Sequence, residues 1–156
     1  MTNVSTQAEL AAAIAARETD IVVTASFDID QTITIPYRHT VSSDGNGPYT
    51  LTKRQGFNLS VFDIINRGEL ILRNIVLDGA KETHTQVPDS QSLVTVGAGS
   101  LLLDTGSVLQ NNYAFAGGGV SISADGAVSN LSCKATPSYA IIPPQTEAAG
   151  SIVITI

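Results

Sequence analysis

Several acidic residues of this chain are of a type that could support catalysis on an acidic carbohydrate. A lyase of that class needs carboxylates grouped around Ca²⁺, which prefers oxygen ligands, and a base that removes the proton α to a carboxyl group. The carboxylate candidates are Asp28, Asp30, Asp63, Asp78 and Asp104, and the basic candidates are Arg67 and Arg73. The question is whether the chain positions them together.

Their local patterns favour ordinary structural roles. Asp78 precedes a glycine, as in many turns, and Asp63 lies between two apolar residues, so strand alternation directs it to the outer face. A hydrolase would need carboxylates facing one groove, about 6.5 to 9.5 Å apart for an inverting pair. Asp28 and Asp30 share one strand face and could contribute. Asp28, Asp30 and Asp63 are therefore weak catalytic candidates, and we expect no catalytic residue and a chain that is not an enzyme.

Other potentially reactive residues are isolated. His39 and His84 have no partner at a metal-ligand or triad spacing, which predicts two surface histidines and no metal site. The single Cys133 excludes an intrachain disulfide. The stretch "NNYAFAGGG", residues 111–119, lacks the Lys and Ser or Thr of a phosphate loop and indicates a turn. We expect no cofactor.

Charge and aromatic residues bear on binding partners. The net charge is −6 and the pI is about 4.6, which argues against nucleic acid or an anionic membrane as a partner. Tyr37, Tyr49, Tyr113 and Phe57 flank the predicted strands, where an exposed ring could stack on a sugar or peptide. Packing is the commoner role of such rings, so the three tyrosines are weak ligand-binding candidates.

The elements that would position these residues are one helix and many short strands. Residues 6–17, "TQAELAAAIAAR", predict a helix with Thr6 as its cap, Glu9 three positions later, and an apolar stripe of Leu10 and Ile14. After residue 20 the sequence consists of short Val-, Ile- and Thr-rich runs with period-two alternation, separated by Gly, Asn and Asp. No continuous apolar run is long enough for a transmembrane helix, and no signal peptide is expected.

One strand pattern repeats. "GELILRNIVLDGA", from Gly68, aligns with "GSLLLDTGSVLQN", from Gly99, and a weaker copy places Gly126 in the same position, with spacings of 31 and 27 residues. The alignment extends backwards to Phe62, Leu93 and Val120, each six residues before its glycine. Copies that differ mainly in loops such as residues 81–91 are typical of a solenoid.

We therefore expect an all-β fold, a single-stranded parallel β-helix with an N-terminal capping helix. Identical positions would stack about 4.8 Å apart, and each coil would bury its apolar face against its neighbours. The predicted organisation is one domain: a capping helix at 1–20, coils at 21–130, and an atypical segment at 131–156 in which "SIVITI" could form a last strand. The helix would cover the open sheet edge at one end.

The arrangement resembles the pectate-lyase-like adhesive domains, which are parallel β-helix modules of large surface proteins of Gram-positive gut bacteria. The matching stretches are "STQAELAAAIA", "TDIVVTASFDIDQTITIP", "SSDGNGPYTLTKR", "SVFDIINRGELILRNIVLDGA" and "SLVTVGAGSLLLDTGSVLQNNYAFAGGGVSISADG", which together span about residues 4–126. The tail after about residue 130 departs from the repeat and carries no sortase-type motif.

The resemblance implies a right-handed coil and an extracellular or cell-surface location. It also implies a non-catalytic adhesin-like module that binds a host or matrix glycan or protein, or serves as a rigid spacer. Two alternatives stay open: a carbohydrate-active β-helix enzyme acting on polyuronide, and a structural solenoid that self-associates through exposed coil edges.

Overall fold

The computed structural model describes residues 1–83, 90–114, 118–122 and 129–133, and these residues form mainly β-strands with one short helix. The elements in chain order are β1 (Thr2–Val4), α1 (Gln7–Ala15), β2 (Asp20–Val23), β3 (Phe27–Ile29), β4 (Ile33–Ile35), β5 (Arg38–Ser43), β6 (Tyr49–Lys53), β7 (Phe62–Ile64), β8 (Gly68–Arg73), β9 (Ile75–Asp78), β10 (Val94–Val96), β11 (Gly99–Leu103), β12 (Val108–Gln110), β13 (Val120–Ile122) and β14 (Ser129–Cys133).

The strands form three parallel sheets. Sheet A has the order β1-β2-β5-β8-β11-β14, sheet B has the order β3-β6-β9-β12, and sheet C has the order β4-β7-β10-β13. Every recorded strand pair is parallel. From β2 onward the chain visits the sheets in the constant order A, B, C, so neighbours in a sheet are three strands apart in sequence. The predicted all-β parallel character is thereby confirmed.

The register of sheet A confirms the central repeat. Gly68 of β8 lies opposite Gly99 of β11, and the two core leucines of each strand follow in register. The glycines are required by close backbone packing, because a Cβ on Gly68 would collide with the Ile35 carbonyl oxygen. A Cβ on Gly99, which has a φ of 147°, would collide with the Gly68 carbonyl oxygen.

Two parts of the predicted alignment were wrong. Val94, not Leu93, lies opposite Phe62, because the turn from β10 to β11 has one residue fewer than the turn from β7 to β8. Ser129, not Gly126, lies opposite Gly99. Gly126 itself is outside the described residues, as are His84 and the "SIVITI" tail. A register shift of one residue would turn the apolar side chains of a strand towards solvent. The shorter turn before β11 avoids this shift and keeps the same side chains in the interior.

The core consists of apolar ladders that run across the sheets. Ile21, Val41, Leu72 and Leu103 occupy equivalent positions in four neighbouring strands of sheet A, and all four are essentially inaccessible to solvent. Matching ladders in sheets B and C contribute to the same hydrophobic cluster. The alternation seen in the sequence therefore separates an apolar interior from polar outer faces.

Helix α1 confirms the predicted cap residue and buried stripe. The Thr6 hydroxyl accepts a hydrogen bond from the Glu9 backbone N–H at 3.2 Å, and Leu10 and Ile14 are buried. The Ser5 backbone N–H donates to the Glu9 carboxylate, and this bond is the main reason that the pKa of Glu9 is lowered. The helix is not the first element, however, because β1 precedes it and pairs with β2 at the edge of sheet A.

Two polar side chains occupy interior positions that strand alternation assigns to apolar residues. His39 was predicted to be a surface residue, but it is completely buried beside Leu70, and its Nδ1 lies 2.6 Å from the Glu18 carbonyl oxygen. This bond to the segment before β2 permits the burial. Lys53, at the end of β6, is only 2% exposed, and burial lowers its pKa to about 8.

Candidate functional site

The structure separates the acidic residues proposed for catalysis. Asp28 lies on the outer face of β3, opposite Thr52 of β6. Asp30 follows the same strand, and its carboxylate accepts a hydrogen bond from Arg54 at 3.2 Å. Asp63 lies on β7 in sheet C, whereas β3 belongs to sheet B. The three candidates therefore do not line one sheet face.

The outer face of sheet B brings a different pair of carboxylates into line. Thr52 lies opposite Asp28 on one side and Asp78 on the other, so the two acids are two strands apart. The Asp78 carboxylate accepts hydrogen bonds from the Ala80 backbone N–H at 2.7 Å and from the Gln110 side-chain amide at 2.7 Å. These bonds fit the predicted turn role of Asp78.

The remaining lyase candidates are held in structural interactions or stand apart. Arg73 donates from Nε and Nη2 to Asp104 Oδ2, at 3.0 and 2.8 Å, and Asp104 is nearly buried. Arg67 lies in the turn between β7 and β8, on a different side of the fold from that ion pair in sheet A. A guanidinium engaged with a buried carboxylate is poorly suited to act as a base.

Asp63 lies on the outward face of sheet C, where its carboxyl group is partly shielded from solvent. It is half-buried in an outward ladder in which Thr34, Asp63 and Thr95 lie on neighbouring strands of sheet C. Burial raises the pKa of its carboxyl above the ordinary value. The ladder presents a carboxyl group flanked by hydroxyl groups, an arrangement that can form hydrogen bonds with sugar hydroxyls.

The tyrosines differ in accessibility. Tyr49 packs against the hydrophobic core, and burial is the main reason that the pKa of its phenol is raised. Tyr113 is 43% exposed, next to residues outside the described part of the chain. Tyr37 is 45% exposed, at the turn between β4 and β5. Tyr37 and Tyr113 therefore retain accessible ring surface.

Tyr37 forms one wall of a cleft between α1 and β4, which we call the Tyr37 cleft. Its volume is about 400 Å³, and its lining residues are Ala11, Ile14, Ala15, Arg17, Thr32, Ile33, Thr34, Pro36 and Tyr37. That volume falls in the range of about 300 to 1,000 Å³ that is typical of small-molecule sites. The lining combines apolar surface with hydroxyls, one aromatic ring and one guanidinium.

Arg17 is the charged residue of this cleft. Its guanidinium carbon lies 4.3 Å from the centroid of the Tyr37 ring, and its Nη2 donates to the Tyr37 hydroxyl at 2.8 Å. The sequence did not identify Arg17, because nothing local shows that the end of α1 and the β4–β5 turn meet. The helix prediction ended at residue 17, which was the one available signal.

A smaller cleft of about 210 Å³ lies on the outer face of sheet B, with Thr52, Asp78, Ala80, Glu82, Thr83 and Asn111 as lining residues. Within the described residues, no group of three or more His, Cys, Asp or Glu side chains is placed to hold a metal ion. In the same part of the chain, no helix has the length and apolarity needed to cross a membrane.

The chain was compared with protein-family models, with curated proteins and with solved structures, and none of them matched. The fold and the clefts are thus the basis for assigning a function.

Proposed function

We propose that this chain is a right-handed parallel β-helix module of a bacterial surface protein that acts in adhesion by binding a host or matrix glycan. Three short parallel sheets that the chain visits in constant order support the solenoid architecture, because each A, B, C passage then forms one coil. The resemblance to pectate-lyase-like adhesive domains supports the surface location and the non-catalytic role.

The Tyr37 cleft is the observation that carries the binding function. Sugar rings present apolar C–H faces that pack on aromatic rings, together with hydroxyls that require hydrogen-bond partners. The cleft offers Tyr37 and two threonine hydroxyls, and the outward ladder through Asp63 continues from Thr34 along sheet C. A saccharide extending along this face would contact both surfaces.

A glycan and mucin array tests this proposal. The purified chain is applied with Ca²⁺ and with a chelator, and uronate cleavage is followed by absorbance in parallel wells. We expect reproducible binding without turnover, which Tyr37→Ala removes and Tyr113→Ala retains. Absence of binding to every glycan would contradict the adhesive function and leave the rigid-spacer role.

The same assay tests the enzymatic alternative. Turnover of polyuronide that requires Ca²⁺ and is lost in the Asp28→Asn, Asp30→Asn or Asp63→Asn variant would replace the adhesive proposal with a catalytic one. Asp20→Asn is a suitable control because Asp20 is exposed on sheet A, away from the strands that carry the three candidates.

A further inference from the structure

We propose that the Tyr37 cleft recognises a sugar residue bearing a carboxylate, and that Arg17 and Arg67 are the anion-binding residues. This inference rests on the proposed glycan-binding function and specifies its ligand class. Neither arginine was assigned a binding role by its sequence context.

The pairing of the arginines supports this assignment. Of the five arginines in the chain, three have carboxylate partners: Arg38 with Glu69 at 3.3 Å, Arg54 with Asp30 at 3.2 Å, and Arg73 with Asp104 at 2.8 Å. Arg17 and Arg67 form no ion pair with any carboxylate in the described part of the chain. The two unpaired guanidinium groups are thus available to an external anion.

Arg17 lines the Tyr37 cleft, and Arg67 lies in the next turn along the stack of strands, outside the lining residues of the cleft. Arg17 stacks on the ring from the end of α1. Arg67 lies in the turn that follows β7. Two backbone hydrogen bonds, one before and one after Arg67 in sequence, hold this turn beside the β4–β5 turn. The Ile65 N–H donates to the Ile35 carbonyl oxygen, and the Glu69 N–H donates to the Tyr37 carbonyl oxygen, both at 3.1 Å.

Backbone conformation gives an independent argument. Arg17 has a φ of 61° and Arg67 a φ of 64°, a left-handed region that favours glycine. Arg17 also occupies the position after the helix cap, where glycine is the usual residue. An arginine costs backbone free energy at both places, and a role for its side chain offsets that cost.

The geometry suits a carboxylate on a ring. A guanidinium presents planar N–H donors that match the two oxygens of a carboxylate, and Arg17 keeps the donors that are not bonded to the Tyr37 hydroxyl for such a ligand. The apolar floor of the cleft suits the sugar ring itself. The net charge of −6 disfavours a long polyanion, so the complementary ligand is a single acidic residue, such as one at the end of a glycan chain.

Titration calorimetry with 3′-sialyllactose, and with lactose as its neutral counterpart, tests the proposal on the full chain. We expect sialyllactose to bind at least tenfold more tightly than lactose at low salt, with the difference shrinking as salt is raised. Arg17→Gly and Arg67→Gly should each weaken sialyllactose binding at least tenfold. Arg17→Lys should also weaken binding, because it retains the charge at the helix end but loses the planar donors.

Stability separates recognition from folding. Glycine adopts both φ values without backbone strain, so the two glycine variants should melt at or above the wild-type temperature. Arg54→Ala controls for the loss of one positive charge, and Asn74→Gly, at a φ of 54°, controls for glycine at a left-handed position. Both controls should bind as the wild type does.

The outcomes distinguish this inference from the function it deepens. Equal binding of lactose and sialyllactose that depends on Tyr37 and not on Arg17 or Arg67 would overturn the acidic-ligand inference and retain the glycan-binding function. If sulfated lactose binds as tightly as sialyllactose, the cleft recognises oxyanions in general and the preference for a carboxylate is overturned. Absence of binding to all three sugars by a chain that binds another glycan on the array would overturn the acidic-ligand inference alone, whereas absence of binding to every glycan would overturn both proposals.

Discussion

One apolar ladder of sheet A and the interior around Lys53, at the end of β6, are built on opposite principles. In sheet A, the ladder of Ile21, Val41, Leu72 and Leu103 is purely apolar. Around Lys53, the Gln91 carbonyl oxygen accepts hydrogen bonds from Lys53 Nζ at 3.3 Å and Asn112 Nδ2 at 2.9 Å. We call the second region the Lys53 corner.

The difference shows that burial of apolar side chains stabilises one region, whereas hydrogen bonds position a single residue, Gln91, in the other. The apolar ladder gains free energy from the burial of each of its four side chains. The Lys53 corner instead ties Gln91 to several neighbouring segments, since Gln91 N–H also donates to the Asn58 carbonyl oxygen and the Ser60 hydroxyl donates to Gln91 Oε1. Burying the amine costs free energy, and the hydrogen bonds hold Gln91 in place.

The largest effect is expected in the apolar ladder. Leu72→Ala removes a side chain with no exposed surface, between Val41 and Leu103, and leaves a cavity in the stack. We expect a loss of about 2 to 5 kcal/mol in the free energy of unfolding, measured by chemical denaturation. Leu102→Ala, on the outer face of the next strand, should cost clearly less. Equal losses would show that the ladder is not the main source of stability.

The second prediction is that a substitution at the Lys53 corner increases the free energy of unfolding, whereas Leu72→Ala decreases it. The pKa of Lys53 is lowered from 10.5 to about 8, so at neutral pH the folded state carries a charge it disfavours by about 3 kcal/mol. Lys53→Met removes that cost and two long hydrogen bonds, to the Ser90 hydroxyl at 3.5 Å and the Gln91 carbonyl oxygen at 3.3 Å, so we expect a net gain of about 1 to 2 kcal/mol at pH 7.

The pH dependence of this gain identifies its cause. Between pH 8 and 10.5 the unfolded state binds more protons at Lys53 than the folded state, so wild-type stability rises with pH. The advantage of Lys53→Met should therefore disappear by about pH 10.5, as followed by denaturation at several pH values. Lys81→Met, at an exposed lysine, is the matched control for the loss of one lysine. A gain that is constant with pH would refute the charge explanation.

The third prediction concerns the end of the apolar ladder, where Leu10 and Ile14 of α1 are buried in the common core. Thr6→Ala removes the oxygen that accepts the Glu9 N–H, and we expect a loss of about 1 kcal/mol in thermal or chemical unfolding. Thr6→Ser retains the hydroxyl and should be close to wild type. A loss as large as that of Leu72→Ala would mean that the cap controls folding of the whole ladder.

The apolar ladder could be predicted from the sequence, and the Lys53 corner could not. Period-two alternation and the Gly68–Gly99 repeat predicted the parallel register, because burial and close backbone approach act at fixed sequence positions. The repeat failed at Leu93, where turn length decides the register, and at Gly126, because Ser129 takes the position opposite Gly99. Turn length follows from backbone conformation that the side-chain pattern does not encode.

The candidate site was less predictable. Tyr37 was proposed from its residue type, but its partner Arg17 depends on a contact across 20 residues of sequence. His39 and Lys53 were misplaced or missed because polar residues in alternating strands are normally outward, and only tertiary hydrogen bonds to Glu18 and Gln91 allow them inside.

The smallest effect on stability is expected at two turns, one after the apolar ladder of β8 and one that leads to the Lys53 corner. Asn74 follows the apolar ladder of β8 with a φ of 54°, and Ala80 begins the loop towards the Lys53 corner with a φ of 53°. Asparagine tolerates this conformation and alanine does not, so Ala80→Gly should gain up to about 1 kcal/mol in unfolding free energy, whereas Asn74→Gly should change it little. The Ala80 N–H bond to Asp78 holds the turn in either variant because it involves the backbone. A loss in Ala80→Gly would show that burial of the methyl group outweighs the strain, and that the entrance to the Lys53 corner is stabilised by packing as the apolar ladder is.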